Sequence, residues 1–124
     1  MSCPNNLYNN SGQTFKTRIT DCDDLTETID ASNFTEAVYR IFAQDQTTVL
    51  VEAKLSLSEI VVEGDTDEQG NPINVFRTTL SKAKMLDTII PQGQYTHQFK
   101  VTNSAGLELP PVFQNTVAVV RAND

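Results

Sequence analysis

The most informative stretch of the sequence is LDTIIPQGQYTHQFKVT, which occupies residues 86–102. From residue 95 onward apolar and polar side chains alternate, and a period of two with one apolar face predicts a half-buried antiparallel strand. The apolar face consists of Tyr95, His97, Phe99 and Val101. Pro91 and Gly93 predict a turn just before this strand, because proline fixes its own φ and glycine accepts a positive φ.

Tyr95 enters the predicted strand directly after the turn, so its hydroxyl can reach the backbone a few residues upstream. That hydrogen bond is the tyrosine corner of immunoglobulin-like sandwiches. We therefore predict structural roles for Tyr95 and Gly93 at the corner and for Phe99 and Val101 in the core. A plain hairpin with a buried tyrosine is the alternative.

The rest of the chain shows further short strand patterns separated by turn residues. We predict strands at residues 14–20, 34–43, 48–57, 59–63, 73–80 and 116–121, with a short strand or extended link at 25–29. The pattern in 48–57 places five side chains inward: Val49, Val51, Ala53, Leu55 and Leu57. A polar loop is expected at 64–72, and Ser81 is expected to cap a single helical turn. This spacing predicts an all-β fold, an immunoglobulin-like antiparallel β-sandwich of 7–8 strands.

The length of 124 residues indicates one folded domain. Residues 1–12 are rich in Asn and Ser and are predicted to form an extended N-terminal arm, with the sandwich domain at 13–124. The arm holds too little apolar surface to order alone. Its large apolar side chains, Leu7 and Tyr8, are therefore expected to dock on a neighbouring chain; the alternative is that the arm folds back on its own sandwich.

Charge and composition exclude several classes of function. The net charge is −7 and no basic stripe is present, so nucleic acid is not an expected partner. No segment approaches the apolar length of a membrane span, and the first residues resemble no secretory signal. Cys3 and Cys22 could form one disulfide, but two free thiols are favoured for a chain made without a signal peptide.

Three sequence features contain residue types that occur in catalytic or metal-binding sites. His97, the only histidine, lies on an apolar face without a recognisable nucleophile, which favours a structural role. Asp65, Asp67, Gln69 and Gly70 resemble the start of a calcium loop, but Phe76 occupies the position that needs a bidentate acid. Asp21, Asp23 and Asp24 are best explained as a solvated turn. We therefore predict no catalytic residue, no metal and no cofactor.

Several of these motifs together resemble a known family. The matching segments are Gly12–Ile19, Asp24-Leu25-Thr26, Ala37–Phe42, Leu86-Asp87-Thr88, Gly93–Phe99 and Ala105-Gly106. In order and spacing they resemble the immunoglobulin-like domain at the N-terminus of phage baseplate upper proteins, and related short domains of tailed-phage virion proteins. The resemblance covers about residues 12–121 and contains no catalytic residue.

The resemblance implies a non-enzymatic structural component of a tailed-phage virion, in the tail, baseplate, neck or capsid surface. Such a protein is made in the host cytoplasm and docks on other virion proteins, including copies of itself. The alternative is a carbohydrate-binding or adhesin-type β-sandwich module. Exposed aromatic side chains on a concave face would favour that alternative, and the chain has no Trp and three Tyr.

Overall fold

A computed structural model describes residues 6–20, 28–66, 69–109 and 111–121. Within these ranges the chain forms ten strands and three short 3₁₀ helices. The strands are β1 (Asn6–Asn9), β2 (Gln13–Thr17), β3 (Ile19–Thr20), β4 (Thr28–Ile29), β5 (Phe34–Phe42), β6 (Val49–Lys54), β7 (Ile60–Thr66), β8 (Pro72–Leu80), β9 (Gly93–Asn103) and β10 (Phe113–Arg121). The 3₁₀ helices are Ala31–Asn33, Leu55–Leu57 and Lys82–Met85.

Two sheets with eight strands make up the sandwich, and β3 and β4 form a separate antiparallel pair. The larger sheet has the strand order β1-β10-β9-β5-β6, and the smaller has the order β2-β8-β7. These are the two sheets of an immunoglobulin-like domain, with β2, β8 and β7 as strands B, E and D and with β5, β9 and β10 as strands C, F and G. The predicted fold class is therefore confirmed. One pairing differs from the prediction, because β1 runs parallel to β10 while the other pairs are antiparallel.

The core lies between the two sheets and is built largely from aromatic side chains. Phe76 of β8 meets Phe99 of β9 with ring centroids 5.7 Å apart, and Phe15 of β2 meets Tyr39 of β5 edge-on at 5.0 Å. From Tyr95 to Thr102, strand β9 alternates between buried and half-buried positions, and Phe99 and Val101 both lie in the core. Burying such rings supplies much of the free energy that holds the sheets together.

The predicted inward face of β6 is wrong at two positions. Val49 is 42% exposed and Leu57 is 64% exposed. The register between β5 and β6 shifts after Ile41, so Val49 pairs with Phe42 and Leu50 is the extra residue. This bulge moves Val49 to the other face. The strand ends at Lys54, and the following 3₁₀ turn leaves Leu55 half-buried and turns Leu57 outward.

Two predicted boundaries also differ from the structure. Asn6–Asn9 forms a strand of the larger sheet, so the described part of the arm belongs to the sandwich domain, which was predicted to begin at residue 13. The predicted loop at 64–72 is shorter, because β7 continues to Thr66 and β8 begins at Pro72. Ser81 caps the 3₁₀ helix as predicted, since its Oγ accepts a hydrogen bond from the backbone N–H of Lys84 at 3.4 Å.

Candidate functional site: the β1 corner

Strand β1 places one side chain in the core and the next one in solvent. Leu7 is 2% exposed and lies opposite Val119 of β10. Tyr8 is 47% exposed. The prediction that Leu7 docks on a neighbouring chain is therefore wrong, because the sandwich itself buries this side chain. Tyr8 keeps its place as a candidate docking residue.

Two asparagines fix the end of β1 to the segment 85–90. The backbone N–H of Asn10 donates to the carbonyl of Met85 at 2.6 Å, and its Oδ1 accepts from the N–H of Asp87 at 3.0 Å. Asn9 is 2% exposed and its Nδ2 donates to the carbonyl of Ile90 at 3.3 Å. Asn10 has a φ of 57°, a left-handed conformation that asparagine tolerates better than most residues. The asparagine-rich segment is thus part of the fold.

The free edge of β1 is closed by one side chain. Gln13 donates from Nε2 to the carbonyl of Tyr8 at 2.8 Å, and its Oε1 accepts from the N–H of Tyr8 at 3.1 Å. The side-chain amide therefore pairs with Tyr8 as a neighbouring strand would. Because the backbone N–H and C=O of Tyr8 are both hydrogen-bonded, the backbone that carries its exposed ring is fixed.

Three exposed apolar side chains share this region: Tyr8, Leu86 and Ile89, with exposures of 47%, 36% and 38%. Each lies within two residues of a hydrogen bond that joins β1 to the segment 85–90. We call these three residues the β1 corner. One exposed aromatic ring and two exposed aliphatic side chains, all on backbone anchored by these hydrogen bonds, are suited to contact with another protein.

The tyrosine at residue 95 makes the hydrogen bond expected of a tyrosine corner. Its hydroxyl donates to the carbonyl of Pro91, four residues upstream, at 2.5 Å. Tyr95 is 5% exposed and belongs to the core. Gly93 does not have the positive φ that the turn pattern suggested. It starts β9 instead, and a Cβ there would lie 3.7 Å from the Tyr95 ring.

His97 is buried in the core, where it lies within hydrogen-bond distance of two side chains, and it is not exposed in a cleft. It is 0% exposed, its Nδ1 lies 2.8 Å from the Tyr39 hydroxyl, and its Nε2 lies 2.6 Å from Oδ1 of Asn115. Because an amide oxygen only accepts, Nε2 carries the hydrogen and Nδ1 accepts from Tyr39. Burial lowers the pKa of His97, and the Asn115 hydrogen bond opposes this shift only partly. The geometry describes a neutral histidine with a structural role.

Asp65, the first acid of the calcium-like loop, is paired with basic side chains of the same domain. Asp65 accepts from Arg18 at 3.1 Å and lies 3.9 Å from Lys16. The backbone N–H of Thr66 and these cations lower the pKa of Asp65. It lines an open depression of about 380 Å³ together with Asp30, whose hydrogen bonds to Ser32 and Asn74 lower its pKa to about 2. Among the described residues, no group of His, Cys, Asp and Glu side chains is arranged to hold a metal ion.

Several predicted features lie outside the described residues. They are Cys3, Cys22, the acidic turn at Asp21, Asp23 and Asp24, and Asp67 of the calcium-like loop. Within the part of the chain that the structure describes, no helix has the length and apolar character needed to cross a bilayer. No family model, no curated protein and no solved structure matches the chain.

The sequence patterns name Tyr8 as a candidate docking residue and place Tyr95 at the tyrosine corner, but they assign no role to Asn9, Asn10 and Gln13. The run Asn9-Asn10-Ser11-Gly12 carries a turn signal, which is the one local feature that could have shown β1 ending there. The partners of the two asparagines lie about eighty residues further along the chain. No pattern within one sequence identifies contacts at that distance.

Proposed function

We propose that the protein is a non-enzymatic structural component of a tailed-phage virion and that it docks on other virion proteins through the β1 corner. The observation that carries the docking role is the grouping of Tyr8, Leu86 and Ile89 on backbone fixed by hydrogen bonds. A rigid aromatic anchor loses little conformational entropy when a partner covers it, so it contributes strongly to binding. The segments that carry the family resemblance support the virion context.

The buried histidine adds support for a structural rather than a catalytic role. His97 and Tyr39 satisfy each other in the core, and Asn115 completes the arrangement. A general base must reach the substrate proton, and His97 has no exposed surface. The protein would therefore act as an adaptor or surface component and would be found in the assembled particle.

The experiment replaces the gene in the phage that encodes it and measures the protein in purified particles. A variant with Tyr8→Ser, Leu86→Ser and Ile89→Ser should keep the melting temperature of the isolated domain but be depleted from particles. Leu107→Ser is the matched control, since Leu107 is 63% exposed and lies in a different turn. Normal incorporation of the triple variant would overturn the role of the corner. Absence of the native protein from particles would overturn the virion role.

One observation favours the second candidate, a carbohydrate-binding or adhesin-type module. An open depression of about 190 Å³ is lined by Gln44, Gln46, Gln94, Tyr95, Thr96 and Thr116. Uncharged amides and hydroxyls can bind sugar hydroxyls. The aromatic ring in this lining belongs to Tyr95, which is 5% exposed and donates its hydroxyl hydrogen to the carbonyl of Pro91. The ring therefore offers no surface on which a sugar could stack. A glycan array on which Gln94→Ala abolishes a saturable signal would favour this candidate.

A further inference from the structure

Strand β7 forms one edge of the smaller sheet. It is seven residues long and pairs with β8 on one side. The N–H of Thr79 donates to the carbonyl of Glu59 at 2.9 Å, and Ile60 stands opposite Thr78. In an antiparallel ladder such pairs alternate, so Val61 and Glu63 bond to β8 while Val62 and Gly64 direct their N–H and C=O groups away from the sheet. Within the described chain the backbone of Val62 and Gly64 makes no hydrogen bond on that side.

At both edges of the larger sheet, side chains form hydrogen bonds with backbone groups of the edge strands. Gln13 closes β1 through its pairing with Tyr8. On β6, Nζ of Lys84 donates to the carbonyl of Glu52 at 2.5 Å, and Oε1 of Glu59 accepts from the N–H of Lys54 at 3.3 Å. Side chains that occupy edge groups prevent pairing with another strand. The β7 edge lacks this protection at Val62 and Gly64.

The side chains along β7 leave room for a second backbone. Val62 is 40% exposed. Gly64 lacks a positive φ, and a Cβ added there would meet nothing within 4 Å, so the domain itself does not require glycine. Glycine inside a strand is less favourable than alanine, because it loses more conformational entropy on folding. A glycine at an open edge lets another backbone approach closely.

The charges beside the edge permit a second copy to approach although each chain carries a net charge of −7. Glu63 is paired with Arg77 at 2.8 Å and with Lys16 at 3.4 Å. Asp65 is paired with Arg18 at 3.1 Å. Because each acid on the outer face of β7 already has a cation beside it, two such edges meet without unpaired like charges.

We propose that two copies of this chain pair through β7, antiparallel about a twofold axis at Val62. Val62 then faces the Val62 of the second copy, and Gly64 faces its Ile60. The two small sheets become one continuous sheet, held by up to about six backbone hydrogen bonds. Such an isologous contact is closed, so it stops at a dimer. This surface is separate from the β1 corner, and the proposal does not depend on the virion role.

Sedimentation equilibrium of the full chain tests the pairing. The native protein should be a dimer at millimolar concentration. Val62→Lys places two ammonium groups face to face, so it should raise the dimer dissociation constant by about tenfold or more. Thr14→Lys is the matched control, because Thr14 is an exposed residue on β2 at the opposite edge of the same sheet. It should leave the dissociation constant unchanged.

A second measurement uses the native chain and therefore tests the pairing even if Val62→Lys fails to fold. Amide hydrogen exchange of the native chain should show the N–H groups of Val62 and Gly64 becoming protected as concentration rises, while those of Val61 and Glu63 stay protected throughout. A native protein that remains monomeric at millimolar concentration would overturn the proposal. So would a dimer that Val62→Lys leaves intact, or unprotected Val62 and Gly64 amides within a dimer.

Discussion

Replacing Leu7 by alanine should destabilise the whole domain, because Leu7 is part of the sandwich core. The side chain is 2% exposed, and β1 holds it against β10 opposite Val119, which is 1% exposed. If residues 1–12 were an independent arm, the same substitution would have almost no effect on unfolding.

The magnitude follows from the burial. Truncating a buried leucine to alanine costs about 2–5 kcal/mol, depending on how far the surroundings collapse. Strand β1 has four residues and lies at a sheet edge, so it can shift inward, and we expect the lower part of that range, about 2–3 kcal/mol. With an unfolding entropy of about 2.1 cal/mol/K per residue, each kcal/mol lowers the Tm of this chain by about 4 °C. The expected decrease in Tm is therefore about 8–12 °C.

The assay is urea denaturation together with a thermal melt of the isolated domain. Tyr8→Ala is the control, because it changes the adjacent side chain, which is 47% exposed, and it should cost less than about 1 kcal/mol. If Leu7→Ala unfolds at the same urea concentration as Tyr8→Ala, Leu7 is outside the core and the assignment of β1 to the sheet is refuted.

Three further predictions concern single residues. Asn10→Ala should cost about 1–2 kcal/mol, because alanine is strained at a φ of 57° and the bond to Asp87 is lost, whereas Asn10→Gly should cost less; equal losses in urea denaturation would refute the strain argument. Thr78→Val should stabilise the domain by about 1 kcal/mol, because the buried Oγ1 of Thr78 has no hydrogen-bond partner among the residues that the structure describes; a loss of stability would reveal a missed partner. The unfolding free energy should decrease as pH falls from about 7 to 5, since burial holds the pKa of folded His97 below the value of 6.5 expected in the unfolded chain, so the unfolded state binds the proton first. The stability is fully present above pH 6.5 and is lost as pH falls toward the lower folded pKa; a His97→Gln variant that keeps the same pH slope would contradict this assignment.

Local sequence patterns were sufficient to predict a strand and its buried side chains where the strand is long and has one apolar face. Strand β9 alternates from Tyr95 to Thr102, so its inward side chains could be predicted from the sequence. The corner at Tyr95 was also predictable, because proline and glycine turn the chain immediately before it. The bond from Tyr95 to Pro91 spans four residues and depends on no distant contact.

Features that depend on pairing between distant segments could not be predicted. The bulge at Leu50 changes which face Val49 occupies, and it arises from the register with β5. Strand β1 contains four residues, too few for a reliable period, and it is ordered by β10 more than one hundred residues later. The contact between His97 and Tyr39 joins residues 58 positions apart. Such contacts are set by topology, and a single sequence does not reveal them.

We propose that the exposed β1 corner contacts another protein in an assembled particle. A photo-activated cross-linking amino acid at position 8, in place of Tyr8, detects this contact when the particles are irradiated and the products are identified by mass spectrometry. We expect a cross-link from position 8 to a different virion protein, and none from the same amino acid placed at Leu107, which is 63% exposed in another turn. If position 8 yields no cross-link, or if both positions yield the same products, the β1 corner is not a docking surface in the particle.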